Sequence, residues 1–312
     1  MTSGSDFRGL PPLPDESVLG HCGRIGRVNA YAGCLPRLLH TLKAQQYRIC
    51  PEQSSDVHGL AVICGMNALD YARKHSLLGF SAFALGISKN TVTPWSAKIM
   101  QSHGSRSLTR HCKWCADCAA EDQRRYGFSY WHREHQLPGI RLCVTHQKSL
   151  LAVGGFDTYL KFPHELVKES QPLCLGDAGS LSPKERRYQA IAHQMIAGPS
   201  GPVQALWEEL GTDKRLTRGA CRFDTDRRRL SMSRSYAQAQ FSRHWELDIR
   251  GRWNTPEEGN PDLTLALATA LAVMLTLAHD SIDDALARLS GIGSVQAESE
   301  RRTRPRMLEH CE

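Results

Sequence analysis

Apolar residues recur at three- and four-residue spacing in several separate stretches, which predicts a mainly helical protein. Val18, Leu19, Cys22 and Ile25 line one side of a predicted helix over residues 18–30, with Asp15 or Ser17 placed to cap it. The segment LPRLLHTLKAQQ, residues 35–46, predicts a second helix, and residues 60–72 a third. Residues 183–197 and 202–210 continue the pattern, with Gly211 as a stop for the latter. Residues 263–278 form an apolar run of 16, short for a membrane span and read as a buried helix. Residues 280–290 predict one more amphipathic helix. The pattern changes around residues 108–155, where short strands and turns fit better; residues 150–153 read as a strand and Gly154 with Gly155 as a turn.

Punctuation between these stretches suggests the domain plan. Pro and Gly collect in residues 1–17, read as an extended arm, and Pro, Gly and Ser in residues 163–183, read as a linker. A first domain would then span residues 18–162 and a helical C-terminal domain residues 184–293, with a polar, disordered tail at 294–312. The expected fold is mainly α, with a small zinc-bound α+β module over about residues 108–155 and a helical, helix-turn-helix-like C-terminal domain.

The 312 residues are 41% hydrophobic, enough for a sizeable core and about two domains. The first 17 residues lack the basic and apolar regions of a signal peptide, and no apolar run reaches 18, so the expected setting is the cytoplasm without membrane contact. Eleven cysteines in a reducing compartment are not expected to form disulfides. Four of them crowd into residues 112–143.

That crowding carries the chemistry. Cys115 and Cys118 form a Cys-x-x-Cys knuckle, Cys143 and His146 a Cys-x-x-His knuckle, and 24 residues separate the two. Three thiolates and an imidazole match the closed tetrahedral shell of one structural zinc ion. Cys112 also stands three residues before Cys115 and is an alternate ligand. A catalytic zinc keeps a position open for water, and four protein ligands leave none. His132-Arg133-Glu134 follows the first cysteines rather than preceding a Pro-Cys-x-x-Cys pair, unlike a zinc deaminase. No phosphate loop, nucleophile elbow or dinucleotide fingerprint occurs, so a zinc hydrolase or nuclease is the weakest reading and no catalytic residue is assigned. Tyr126, Phe128, Tyr130 and Trp131 lie between the knuckles and are expected to build a miniature core, with stacking on bases as the alternative.

These residues resemble the TniQ/TnsD family of bacterial transposon proteins. The resemblance is carried by Leu13-Pro14-Asp15-Glu16-Ser17, by Cys115-Ala-Asp-Cys118 with Glu121-Asp122 after it, by Tyr130-Trp131, by His135-Gln136-Leu137-Pro138-Gly139 and by Cys143-Val-Thr-His146 ahead of Leu150. It covers about residues 10–155. Ala116 stands where the family usually has proline, and the acidic pair at the family's distance favours Cys118 over Cys112 as partner of Cys115. The resemblance implies a non-catalytic adaptor for target-site selection in transposition. Such a protein bridges double-stranded target DNA, or an RNA-guided CRISPR effector complex, to an AAA+ ATPase that recruits the transposase complex; homodimers occur in part of the family. A stand-alone zinc-containing DNA-binding regulator is the alternative.

Two segments compete for DNA contact. In residues 81–95, Gly86 and Ser88 suggest a helix-turn-helix that would place Lys89 and Asn90 on a recognition helix, although Pro94 would cut that helix short. Residues 211–252 hold eleven Lys or Arg against five acids, nearly the whole of the chain's formal charge of +7. Arg215, Arg218, Arg222, Arg227, Arg228, Arg229 and Arg234 are its candidates for phosphate contact.

Overall fold

A computed structural model describes residues 8–47, 56–84, 111–173, 181–197, 210, 221–224, 229–232, 262–287 and 289. Among the described residues five helices come first: α1 (Val18–Val28), α2 (Leu35–Tyr47), α3 (Asp56–Ile63), α4 (Ala68–His75) and α5 (Leu78–Ala84). The cysteine–histidine module follows, with β1 (His111–Trp114), α6 (Ala116–Tyr126), β2 (Leu151–Gly154) and β3 (Gln171–Pro172). The C-terminal part holds α7 (Pro183–Ala197), the strands β4 (Cys221–Asp224) and β5 (Arg229–Met232), and α8 (Asp262–Ala278). In the main sheet β2 lies between β1 and β3, antiparallel to both, with Cys112 opposite Val153. Among the described residues no helix is long and apolar enough to cross a membrane.

Several boundaries depart from the periodicity for local reasons. The single helix expected over residues 60–72 is two, because Gly65 takes a left-handed φ of 70° and Asn67 caps α4 by accepting the Leu69 and Asp70 N–H groups at 2.9 and 3.3 Å. Ser17, not Asp15, caps α1, accepting the Gly20 N–H at 3.2 Å. Asp15 instead accepts from Arg133 Nε at 2.8 Å and from the Glu134 N–H at 3.0 Å. The stretch read as a linker starts inside the module, since Gln171 and Pro172 complete its sheet. Residues 174–180, and all but Leu210 of the helix expected at 202–210, lie outside the described residues.

Residues 8–17 are docked rather than free. The Leu10 carbonyl accepts from His21 Nε2 at 2.8 Å, Pro11 from Arg24 at 2.7 Å and Pro14 from Tyr130 Oη at 2.9 Å. Ser17 N–H donates to the Trp131 carbonyl and Arg133 N–H to the Asp15 carbonyl, each at 2.7 Å. The Leu-Pro-Asp-Glu-Ser stretch is therefore the seam between the N-terminal helices and the module. Gly23 marks another close approach: a Cβ there would stand 1.8 Å from the Tyr159 carbonyl oxygen, so only glycine lets α1 lie against residues 156–160.

Two apolar cores meet at the module. Cys112, Trp114, Ala119, Trp131 and Val153 pack with Val18, Leu19, Leu38 and Leu60 of the N-terminal helices. Cys115, Cys118, Leu137, Ile140 and Cys143 pack with Tyr188, Ile191 and Met195 of α7 and with Leu271 and Leu275 of α8. Strand alternation explains the split: Cys112 and Trp114 share one face of β1, and the chain turns at Cys115 to reach the other core. The helices α7 and α8 are thus continuous in packing with the module. A strand pair, β4 with β5, lies within the basic segment, where helices alone were expected.

Candidate metal centre

Cys115 is the residue preceding α6, with extended backbone at φ −108° and ψ 132° and no capping bond from its side chain. Its sulfur is left free to ligate, and the Cys118 and Cys143 thiols, with the Cys118 and Asp117 N–H groups of the first turn, favour its thiolate. Cys118 sits one turn along α6, so a strand-to-helix corner aims both sulfurs at one point. Ala116 is the first residue of α6, the position at which proline is tolerated, so the departure from the family's proline leaves the corner intact. The second knuckle is the tip of a short hairpin. Leu142 pairs with Ser149, Cys143 N–H donates to the Lys148 carbonyl at 2.9 Å and Leu150 N–H to the Arg141 carbonyl at 2.8 Å.

The four donors meet. His146 Nδ1 stands 3.6 Å from Cys115 Sγ, 3.3 Å from Cys118 Sγ and 3.6 Å from Cys143 Sγ, and the Cys118 and Cys143 sulfurs are 3.6 Å apart. A tetrahedral shell with metal–sulfur bonds of ~2.3 Å and a metal–nitrogen bond of ~2.0 Å has sulfur–sulfur edges of about 3.8 Å and sulfur–nitrogen edges of about 3.5 Å. The cluster fits those edges and can hold one metal ion. All three cysteines are buried. Three thiolates this close need a cation between them. Among protons alone the Cys118 and Cys143 thiols donate to Cys115, so the Cys115 pKa falls and those of Cys118 and Cys143 rise. Cys112 is excluded from the set, because its sulfur lies in the N-terminal core, 3.6 Å from the Gly155 carbonyl oxygen.

Surrounding groups orient the ligands. Glu121 Oε1 accepts from His146 Nε2 at 3.0 Å, which directs Nδ1 at the sulfurs and raises the imidazole's pKa. Cys118 and Glu121 are one helical turn apart on α6, so this pairing follows from the i, i+3 rule. Asp122 turns the other way, accepting from Tyr130 N–H at 3.3 Å and His132 Nε2 at 3.1 Å. Burial opposes the charge on His132, but the Asp122 hydrogen bond and the charges of Asp122, Asp15 and Glu134 together outweigh it and the pKa is raised. Replacing Glu121 with glutamine is expected to weaken metal affinity by about 10- to 100-fold, measured by competition with a chromogenic chelator; an unchanged affinity would show that the carboxylate has no hold on the ligand.

The turn at Gln136–Gly139 clamps β1 from inside. Lys113, fully buried, donates from Nζ to the Leu137 and Ile140 carbonyls at 2.7 and 3.3 Å. Gln136 accepts the Lys113 N–H at 3.1 Å and donates to its carbonyl at 2.7 Å. From the other side Gln189 of α7 accepts the Arg141 and Leu142 N–H groups at 2.9 and 3.1 Å, and Tyr188 Oη donates to the Pro138 carbonyl at 2.8 Å. Tyr130 and Trp131 are core, as expected, whereas Tyr126 and Phe128 are half-buried.

A family model described as TniQ matches residues 7–150. Those residues are a TniQ domain. Its matched region ends one residue before β2, so β2 and β3, which complete the sheet begun by β1, lie just beyond it. Searches of curated proteins and of solved structures returned no match to the chain. The TniQ domain contains the four clustered donors, Glu121 and the Leu13–Ser17 seam. The expected DNA contacts at Lys89 and Asn90, and at Arg215, Arg218, Arg227, Arg228 and Arg234, lie outside the described residues. Arg222 and Arg229 lie on β4 and β5, where Arg222 faces Ser231 in register and Asp224 faces Arg229. Missed by the sequence reading were Glu121 as support of His146, buried Lys113, and Gln189 of α7. Only Glu121 had a readable signal, its spacing from Cys118.

Proposed function

We propose that this chain is a non-catalytic adaptor for target-site selection in transposition, acting in a bacterial cytoplasm. The TniQ domain over residues 7–150 carries the reading. The adaptor would link target DNA, or an RNA-guided effector complex, to an AAA+ ATPase that recruits the transposase. The clustered donors of the domain would hold a zinc ion, the cation that three thiolates and one imidazole suit best. With four protein ligands the ion has no position for water, so its part is to fix the module.

The basic segment at 211–252 supports phosphate contact, through its eleven cations against five acids. Purified protein is expected to bind labelled duplex DNA at low salt, with log affinity falling linearly against log salt. Replacing Arg227, Arg228 and Arg229 with glutamate should flatten that slope by about 3. Absence of affinity in the unsubstituted protein at low salt would defeat direct DNA contact and leave recruitment through a guide complex. Failure to co-elute with an AAA+ ATPase encoded beside the gene would count against the adaptor itself.

A further inference from the structure

The structure assigns His135 a role toward the metal centre: we infer that its Nε2–H donates to the Cys118 sulfur and sets how much negative charge that ligand keeps. The inference rests on a metal ion being bound by Cys115, Cys118, Cys143 and His146. The His135 ring is buried, with 1% of the residue exposed, and its Nε2 lies 3.9 Å from Cys118 Sγ. Its other nitrogen, Nδ1, is buried without a hydrogen-bond partner among the described residues.

The tautomer follows from what each nitrogen faces. Nε2 looks at a sulfur that is anionic once ligated, and Glu134 Oε1 lies 4.0 Å from the same nitrogen. A bare lone pair there would meet two anions, whereas an N–H meets two acceptors. Nδ1 then keeps the lone pair. His135 is no fifth ligand, since among the four donors only the Cys118 sulfur lies within bonding distance of it.

The need for such a donor is electrostatic. Three thiolates around a divalent ion leave one net negative charge in a buried site, and N–H groups directed at the sulfurs spread it. Cys143 Sγ receives the His146 N–H at 3.5 Å. Cys115 receives the backbone N–H groups of Cys118 and Asp117. For Cys118, the donor from outside the ligand set among the described residues is His135. This gives the histidine of the His135-Gln136-Leu137-Pro138-Gly139 turn a task distinct from packing.

The test uses the full chain loaded with Co2+, comparing the unsubstituted protein with His135→Phe and His135→Gln. Phenylalanine fills the space without a donor, while glutamine offers an N–H. Phenylalanine should weaken metal binding by about 10- to 100-fold and move the sulfur-to-cobalt charge-transfer band to lower energy. Glutamine should bring both back toward the original values. A packing role alone would move stability but not the band. An unchanged band and affinity in the phenylalanine variant, or a folded glutamine variant that matches it, would overturn the inference. Should the phenylalanine variant fail to fold, His135→Leu and His135→Asn give the same contrast. If the unsubstituted protein takes up neither Co2+ nor Zn2+, the metal reading itself falls, which is a separate result.

Discussion

Exchange of Cys115 for serine is expected to strip the metal from the protein and unfold residues 112–150. His146→Ala should do the same. The module has one short sheet and one helix of 11 residues, too little to hold together unaided, so binding energy at a metal held there would be folding energy. In small zinc modules that energy is about 10–16 kcal/mol, far above the margin by which a domain is stable. The damage should spread into α7 and α8, because Cys115, Cys118 and Cys143 share a core with Tyr188 and Leu271. Elemental analysis and limited proteolysis report the two halves of the result. Cys112→Ser is the contrast: its sulfur belongs to the other core, so the metal should stay in full stoichiometry. A Cys115→Ser protein with full metal content and unchanged protease resistance would refute the ligand set.

The second large effect is expected at Glu16. Its carboxylate is fully buried and accepts from Arg24 Nε at 2.8 Å, Arg24 Nη2 at 2.7 Å and Leu13 N–H at 2.8 Å. Glu16→Ala would leave the Arg24 guanidinium, itself 7% exposed, buried without its counter-charge. Breaking such a pair from one side costs about 3–5 kcal/mol, read as a lower urea midpoint. Replacing both residues with methionine should recover most of the loss, since the desolvated charges then vanish together. A single substitution costing under about 1 kcal/mol would mean that the pair is solvated in solution.

The helical stretches were legible where amphipathic spacing ran unbroken, as in α2 and α7. They were misread where one backbone position decided the outcome, as at Gly65. The ligand set was legible because knuckle spacing is a local property. The sequence left Cys112 and Cys118 competing, and the structure separates them through strand alternation, which sends Cys112 into the N-terminal core. What the sequence hid was non-local. Glu16 reads as an acid in a proline-rich arm, yet Arg24 reaches it one helix away. Nothing in the sequence marks Lys113 as buried, yet two carbonyls of a turn more than twenty residues later receive its ammonium. Nor does spacing foretell that Gln189, 48 residues after Arg141, would hold the knuckle hairpin.

The region of family likeness and the unit that can fold are different lengths of chain. A fragment cut at residue 150 would lose the central strand of the sheet, the Tyr188 bond to Pro138 and the apolar cover that α7 and α8 lay over Leu137, Ile140 and Cys143. Its greasy inner face would meet water directly, and such a fragment should clump when expressed alone, whatever its metal supply.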